Sequence, residues 1–163
     1  MRSDIRISDK MSWQFIAIFV IFFAISVIET SAAEKGYVNN SPEWKQFSES
    51  SAFIWSYDNQ SIEHSGTGKA IVWAKAIAKG QTGINEKIRL LRKFGGRPLG
   101  YEAYAFTINL FEIDCEKRKL RVLSVKDYNK KGDLLESVSL DGSPWDIIPP
   151  GSVINNLYAI VCK

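Results

Sequence analysis

The sequence predicts an α+β domain: an antiparallel sheet of about six strands, with a short basic helix and a C-terminal helix packed on it. Three observations support this. Short apolar and aromatic runs separated by turn residues follow one another from residue 44 onward, which is typical of antiparallel strands. Residues 85–94 and 153–161 instead carry apolar side chains at helical spacing. The only two cysteines, Cys115 and Cys162, bracket the last third of the chain.

Residues 1–33 have the order of a secretory signal peptide: basic residues, an uncharged apolar run, then small residues up to Ala33. The apolar run at 15–28 is shorter than the roughly 20 residues that span a membrane. We expect cleavage after Ala33, with an uncleaved N-terminal anchor as the alternative. Either way the remainder is exported, and two cysteines in an exported chain usually pair.

The remainder divides into a flexible polar leader over residues 34–43 and one domain over residues 44–163. The net charge of the chain is +3 and stays +3 without the first 33 residues. An excess this small does not indicate binding to nucleic acid.

The first half of the domain reads as three strands. Aromatic runs at 44–47 and 52–57 predict two strands joined by a tight turn, and the turn residues over 58–68 predict a loop. Residues 69–78 have apolar or small side chains at both parities, which indicates a central strand.

The segment from Gly80 to Gly83 is predicted to break that strand before the basic helix. Asn85 is the expected N-cap of the helix, and Gly95 with Gly96 is expected to end it. The longest strand is predicted to follow, over residues 101–114.

A second long strand, residues 119–128, is predicted to form a hairpin with it, centred between Glu116 and Lys117. In both strands the apolar residues change parity at the same level, which specifies a register. This register pairs Phe111 with Val122, Leu110 with Leu123, and Ile108 with Val125. It also predicts that the buried face of the sheet changes along the hairpin.

The last third is predicted to contain a turn at 129–133, a strand at 134–140 and the C-terminal helix, with Ser152 as its N-cap. A bond between Cys115 and Cys162 would hold this helix over the hairpin tip. The residues there that need a cover are Phe111, Ile113, Leu120 and Val122.

Two motifs resemble one known family. They are D-C-x-x-R-x-x-R-x-L-S, from Asp114 to Ser124, and I-P-P-G-S followed by V-C, from Ile148 to Cys162. With W-x-x-F at 44–47 and A-I-V-W-A-K at 70–75, they resemble the surface-adhesin protein E family of Gram-negative bacteria. The resemblance covers residues 44–163 and implies a small exported antiparallel-sheet domain with a disulfide between the two cysteines. It also implies adhesion to host matrix proteins, although this chain lacks the cysteine that would carry a lipid anchor.

No catalytic, cofactor-binding or metal-binding residues are predicted. His64 is the only histidine, and we interpret it as a solvated loop residue because no organised nucleophile accompanies it. Glu112 and Asp114 offer fewer oxygens than calcium requires, so a solvated edge is the simpler interpretation. The tryptophans at 44, 55, 73 and 145 are interpreted as packing residues.

Basic residues form the candidate partner-binding site. They lie in two clusters, Lys87, Arg89, Arg92, Lys93 and Arg97 around the first helix, and Lys117, Arg118, Lys119 and Arg121 at the hairpin tip. If adjacent, they would attract acidic glycans, acidic protein segments or anionic lipid head groups. The alternative is a pair of solvated charged faces.

The sequence therefore predicts an exported, non-enzymatic binding module in the periplasm, secreted, or at the surface of a Gram-negative bacterium. Its expected partner is an extracellular-matrix-like or envelope protein, or an acidic glycan. One alternative is a structural envelope subunit that self-associates through strand edges, as a homodimer or larger assembly. A small periplasmic hydrolase is less favoured because no nucleophile, base and orienting group can be named together.

Overall fold

The structure is a computed structural model that describes residues 42–163. This part of the chain forms eight strands, two α-helices and one 3₁₀ turn. In chain order these are β1 (Trp44–Glu49), β2 (Phe53–Asp58), β3 (Glu63–Ser65), β4 (Lys69–Ala78), α1 (Gly80–Lys93), the 3₁₀ turn (Tyr101–Ala103), β5 (Tyr104–Asp114), β6 (Lys119–Asn129), β7 (Leu134–Ser139), β8 (Asp146–Ile147) and α2 (Val153–Val161).

The strands form one antiparallel sheet in the order β1-β2-β4-β5-β6-β7. The two short strands extend it: β3 pairs with β4, and β8 pairs with β6. The predicted α+β architecture is therefore confirmed.

Both helices pack on the same face of the sheet. Ala70, Val72 and Ala74 of β4 belong to the apolar cluster that contains Leu157 and Val161 of α2. Ala76 and Ala78, two and four residues further along β4, instead pack in the cluster beneath α1. Because alternate residues of a strand point to one face, α1 and α2 cover opposite ends of a single face.

The other face carries its own apolar cluster. Trp73, Ile108 and Leu110 are buried there, and the partly buried residues around them are Trp44, Ile71, Phe106, Leu123 and Tyr128. Near the hairpin tip the buried residues Phe111 and Ile113 point to the helix face instead. The predicted change of buried face along the hairpin is thus confirmed.

The hairpin of β5 and β6 has the predicted centre. Phe111 pairs with Val122, and a four-residue turn from Cys115 to Arg118 joins the strands. Beyond Phe111 the predicted register is wrong by one residue, since Leu110 pairs with Ser124 and not with Leu123.

The cause is a β-bulge between Leu110 and Phe111, which leaves Leu123 as the extra residue of β6. Ile108 consequently pairs with Lys126, whereas Val125 lies opposite Asn109. The bulge lets Leu123 join the apolar cluster on the helix-free face.

Helix α1 begins five residues earlier than predicted, at Gly80. Its N-cap is Lys79, and no side chain caps it, so Asn85 is an internal residue and not the cap. Gly83 allows the close approach of the helix to the sheet, because a Cβ there would lie 2.5 Å from the carbonyl oxygen of Ala52. The predicted end of the helix is correct: Gly95 has φ +78°.

Smaller differences concern one short strand and several strand ends. The predicted loop over 58–68 contains β3, whose three residues are all exposed and gave no apolar signal. The longest strand begins at Tyr104 because Tyr101–Ala103 form the 3₁₀ turn. Strand β7 ends at Ser139, one residue before the predicted end.

The N-cap of helix α2 and its covalent link to the hairpin tip are as predicted. The Ser152 hydroxyl accepts a hydrogen bond from the backbone N–H of Asn155 at 3.1 Å. Cys115 and Cys162 form a disulfide, with their Cα atoms 5.4 Å apart. The Tyr158 hydroxyl also donates to the carbonyl oxygen of Cys115 at 2.9 Å, so two contacts fix this helix to the hairpin tip.

The predicted signal peptide at 1–33 lies outside the described residues, as does the leader up to residue 41. Within residues 42–163, neither helix has the length and apolar character needed to cross a membrane.

Candidate functional site

A groove runs along one flank of α1 on the helix-bearing face. It consists of three cavities of about 740, 140 and 490 Å³. The first and second share Phe53, Trp55 and Leu90 in their walls, and the second and third share Lys87, Leu90 and Val125. The cavities therefore adjoin one another.

The walls of the groove are mainly apolar. Its 740 Å³ end lies between the turn after β1 and Val153 of α2. Its 490 Å³ end is lined by Phe94, directly after α1, and by Val138 and Leu140 at the far side of the sheet. The groove thus crosses the sheet from β2 to β7.

A buried polar network fixes α1 to the floor of this groove. At its centre Asp127, only 2% exposed, accepts a hydrogen bond from Thr107 Oγ1 at 2.5 Å. The Lys87 ammonium lies 2.7 Å from Asp127 Oδ2, and the Tyr101 hydroxyl donates to the same carboxylate at 2.7 Å. The buried negative charge is therefore both paired and hydrogen-bonded, as burial requires.

Two tyrosines complete the network. The Tyr101 hydroxyl also contacts Glu136 Oε2 at 2.8 Å, and Tyr104 shares a hydrogen bond with Thr107 at 2.7 Å. Burial raises the pKa of Tyr101, and its bonds to Asp127 and Glu136 raise it further. Burial likewise raises the pKa of Tyr104. Both phenols therefore stay protonated as hydrogen-bond donors.

Asn109 differs from the other polar residues of the groove. It is only 8% exposed and lines the central 140 Å³ cavity. Within residues 42–163 its side-chain amide makes no hydrogen bond, whereas Lys87, Tyr104 and Thr107 of the same cavity bond to one another or to Asp127. The hydrogen-bonding capacity of this amide is directed to the cavity.

The basic residues predicted around α1 differ in their availability. Lys87 belongs to the buried network, and Arg89 pairs with Glu86 at 2.6 Å. Arg92, Lys93 and Arg97 are exposed and form no ion pair with any residue of the described range 42–163.

Most of the basic residues at the hairpin tip already contact other side chains of the domain. Lys117 lies 3.8 Å from Asp114. Arg118 donates to Asn155 Oδ1 at 2.8 Å and lies over the ring of Tyr158. Arg121 pairs with Glu112 and lies over the ring of Trp145, and Lys119 is half-buried beside them.

The two basic clusters lie at opposite ends of the sheet. Lys87 sits beside Thr107, seven residues along β5 from Asp114 at the hairpin tip. At the rise of a strand this separation is about 23 Å. The fold therefore does not bring the clusters together.

Exposed apolar residues lie among the free cations of the first cluster. Phe94 is 78% exposed and Leu99 is 92% exposed. The Lys93 ammonium lies 5.6 Å from the Phe94 ring centre. We call the surface formed by Arg92, Lys93, Phe94, Arg97 and Leu99 the α1 patch.

The remaining residues considered as candidates in the sequence are His64, Glu112 and Asp114. His64 lies exposed on β3, opposite Ala70. Glu112 and Asp114 face Arg121 and Lys117, and within residues 42–163 no three potential metal ligands come together.

The sequence model of one family, described as surface-adhesin protein E, matches residues 44–163. The chain belongs to this family. Among solved structures, the chain is similar to Haemophilus influenzae protein E in its selenomethionine form, with 12% identity over 76% of this chain and 92% of that chain, at a TM-score of 0.43. Crystal form II of Haemophilus influenzae protein E gives 11% identity over 77% of this chain and 95% of that chain, at a TM-score of 0.42. No curated protein sequence matches.

Sequence reasoning missed the groove and the polar network of this family member. The network joins residues from α1, the 3₁₀ turn, β5, β6 and β7, which no local pattern connects. One signal was available: Thr107 and Asn109 are polar residues between apolar ones in the longest strand.

Proposed function

We propose that this protein is an exported, non-enzymatic binding module that recognises an acidic segment of an envelope or host-matrix protein through the α1 patch. The observation that carries the proposal is the exposure of Phe94 and Leu99 beside the free cations Arg92, Lys93 and Arg97. Membership in a surface-adhesin family supports a role in binding at the cell surface.

The composition of the α1 patch matches that of protein-binding surfaces. Aromatic residues and arginine are enriched at such interfaces, and they dominate the binding energy. Arg92, Lys93 and Arg97 can pair with acidic groups without first leaving a partner inside the domain. An acidic segment with apolar residues would cover Phe94 and Leu99 and neutralise the charge.

The polar network supports a binding role over hydrolysis. A general base must reach the proton that it abstracts, and a nucleophile must be activated by such a base. The Asp127 carboxylate is already occupied by Lys87, Thr107 and Tyr101. We therefore expect this network to hold α1 in place.

The test compares two charge-matched triple variants of the full-length protein on immobilised poly-glutamate at low salt. Arg92→Gln, Lys93→Gln and Arg97→Gln remove three positive charges from the α1 patch. Lys117→Gln, Arg118→Gln and Lys119→Gln remove three from the hairpin tip. We expect the first variant to bind about tenfold more weakly and the second to bind like wild type.

Added salt should elute the wild-type protein, because charges farther apart than about 10 Å are screened at 0.1 M. Equal losses in both triple variants would contradict the proposal, since net charge alone would then explain retention. Retention on a sulfated polysaccharide but not on poly-glutamate would instead identify an acidic glycan as the partner.

The alternative of self-association through strand edges has less support. β1 and β7 are the outer strands of the path β1-β2-β4-β5-β6-β7, and each is interrupted by a β-bulge in its pairing. Lys45 and Glu49 on β1 and Glu136 on β7 add charge to these edges, and bulges and charges both disfavour edge pairing. A mass that doubles with concentration in light scattering would favour this alternative.

A further inference from the structure

We infer that the central cavity of the groove is a binding pocket for a phenol ring, the side chain of a tyrosine in the partner segment. The juxtaposition that supports this is the Asn109 side-chain amide, which makes no hydrogen bond within residues 42–163, beside apolar walls formed by Phe53, Trp55, Leu90 and Val125. The inference deepens the proposed function and rests on it for the identity of the partner.

The size of the cavity fits one aromatic ring. Its volume is about 140 Å³. An apolar protein cavity of about 150 Å³ accommodates benzene. The cavity has room for a ring because the small Ala76 of β4 lies at its floor, where a larger side chain would fill the space. A ring is therefore the largest group that this part of the groove holds.

The chemistry of the walls selects a ring with one polar atom. Trp55 and Phe53 pack edge to face, with ring centres 6.1 Å apart, and present an aromatic wall. Lys87, Tyr104 and Thr107 also line the cavity, but their polar atoms bond to one another or to Asp127. The Asn109 amide makes no hydrogen bond within residues 42–163, and it offers both donors and an acceptor to a ligand. A phenol hydroxyl can accept a hydrogen bond from the amide N–H or donate one to the amide oxygen.

The cavity adjoins larger parts of the same groove on both sides, so the ring can belong to a longer chain. The 490 Å³ part leads to Phe94, which is also part of the α1 patch. A segment bound at the patch can therefore continue into the groove and place a tyrosine over Asn109.

The test is an NMR titration of ¹⁵N-labelled full-length protein with N-acetyl-tyrosinamide and, separately, N-acetyl-phenylalaninamide. We expect saturable shifts of the Asn109 side-chain amide signals with the tyrosine ligand. We also expect about tenfold weaker binding of the phenylalanine ligand, because it lacks the hydroxyl that the amide bonds.

Asn109→Leu should abolish the preference between the two ligands, and Ala76→Leu should abolish the binding of both. Asn156→Leu is the matched control, since Asn156 is exposed on α2 and should leave both affinities unchanged. Thermal unfolding of each variant verifies that it folds. If Asn109→Leu or Ala76→Leu does not fold, the side-chain amide shifts of the wild-type protein still decide the question.

Equal affinities of the wild-type protein for the two ligands, or no saturable shift, would overturn the inference. The α1 patch variant with Arg92, Lys93 and Arg97 changed to Gln should still bind N-acetyl-tyrosinamide. The two proposals can therefore fail separately. If the protein binds N-acetyl-tyrosinamide but not poly-glutamate, only the proposal for the patch is contradicted. If it binds poly-glutamate but not N-acetyl-tyrosinamide, only the proposal for the pocket is contradicted.

Discussion

At the scale of single residues, Gly83 determines how closely α1 can approach the sheet. A Cβ at this position would lie 2.5 Å from the carbonyl oxygen of Ala52 and 2.7 Å from Ala78 Cα, both of which are backbone atoms. Real Cβ atoms do not come this close to backbone, so the helix would have to move. The groove would change with it, because Leu90 and Lys87 line the groove from the same helix.

We predict that Gly83→Ala destabilises the domain, although alanine is the better helix former. The gain from helix propensity is about 1 kcal/mol, whereas overpacking at a fixed backbone contact costs about 1–3 kcal/mol and more when backbone must shift. The expected net loss is about 1–2 kcal/mol in the free energy of unfolding, measured by urea denaturation.

Gly66→Ala is the matched control for this prediction. Gly66 lies in the turn before β4, and a Cβ there would meet no atom within 4 Å. We expect a change of less than about 0.5 kcal/mol. Equal stability of the Gly83→Ala variant and the wild type would show that the helix can shift without cost.

At the scale of elements, local patterns predicted most strands and the end of both helices. Strand β4 has the predicted bounds, and Ser152 caps α2 as its spacing indicated. The start of α1 was missed because Gly80 and Gly83 look like helix breakers. In the structure Gly80 has φ +56° at the first helical position, and Gly83 is needed for close packing. Tertiary contact thus outweighed local propensity.

The predicted register of the long hairpin was wrong beyond Phe111 for a similar reason. Apolar parity located its centre, but parity alone cannot show which strand contains the extra residue of a bulge. The bulge places Leu123 in the apolar cluster on the helix-free face and Val125 opposite Asn109. The central cavity, which Val125 and Asn109 both line, therefore could not be derived from the sequence.

The disulfide is the element-scale contact with the largest expected effect. It closes a loop with a sequence separation of 47 between Cys115 and Cys162. In the chain-entropy model a loop of this length stabilises the native state by roughly 4 kcal/mol. We predict that the double variant Cys115→Ser, Cys162→Ser loses about 2–5 kcal/mol in chemical denaturation.

Wild-type protein treated with a reductant should lose the same amount, which separates the bond from any effect of the serine side chains. The Tyr158 hydroxyl, which bonds to the Cys115 carbonyl, should keep α2 helical in the double variant. Unchanged stability after reduction would contradict the prediction.

At the scale of the whole molecule, shared strands join the two apolar clusters of the helix face. Ala70 to Ala74 of β4 pack beneath α2, and Ala76 packs beneath α1. Strand β5 also spans both clusters, from Tyr104 to Ile113. Because the two helices share these strands and do not rest on separate ones, the domain should unfold as a single unit.

Hydrogen exchange of backbone amides in the native state tests this prediction. We expect the slowest exchange in β4 and β5, with one common opening free energy equal to that of global unfolding. Amides of the outer strands β1 and β7 should exchange faster through local opening. If the amides around Ala76 and Thr107 opened at a lower free energy than those around Val72 and Phe111, the α1 half would be an independent unit. The groove could then open while the disulfide-bonded end stayed folded, and a ligand of the central cavity would protect only the amides near Ala76.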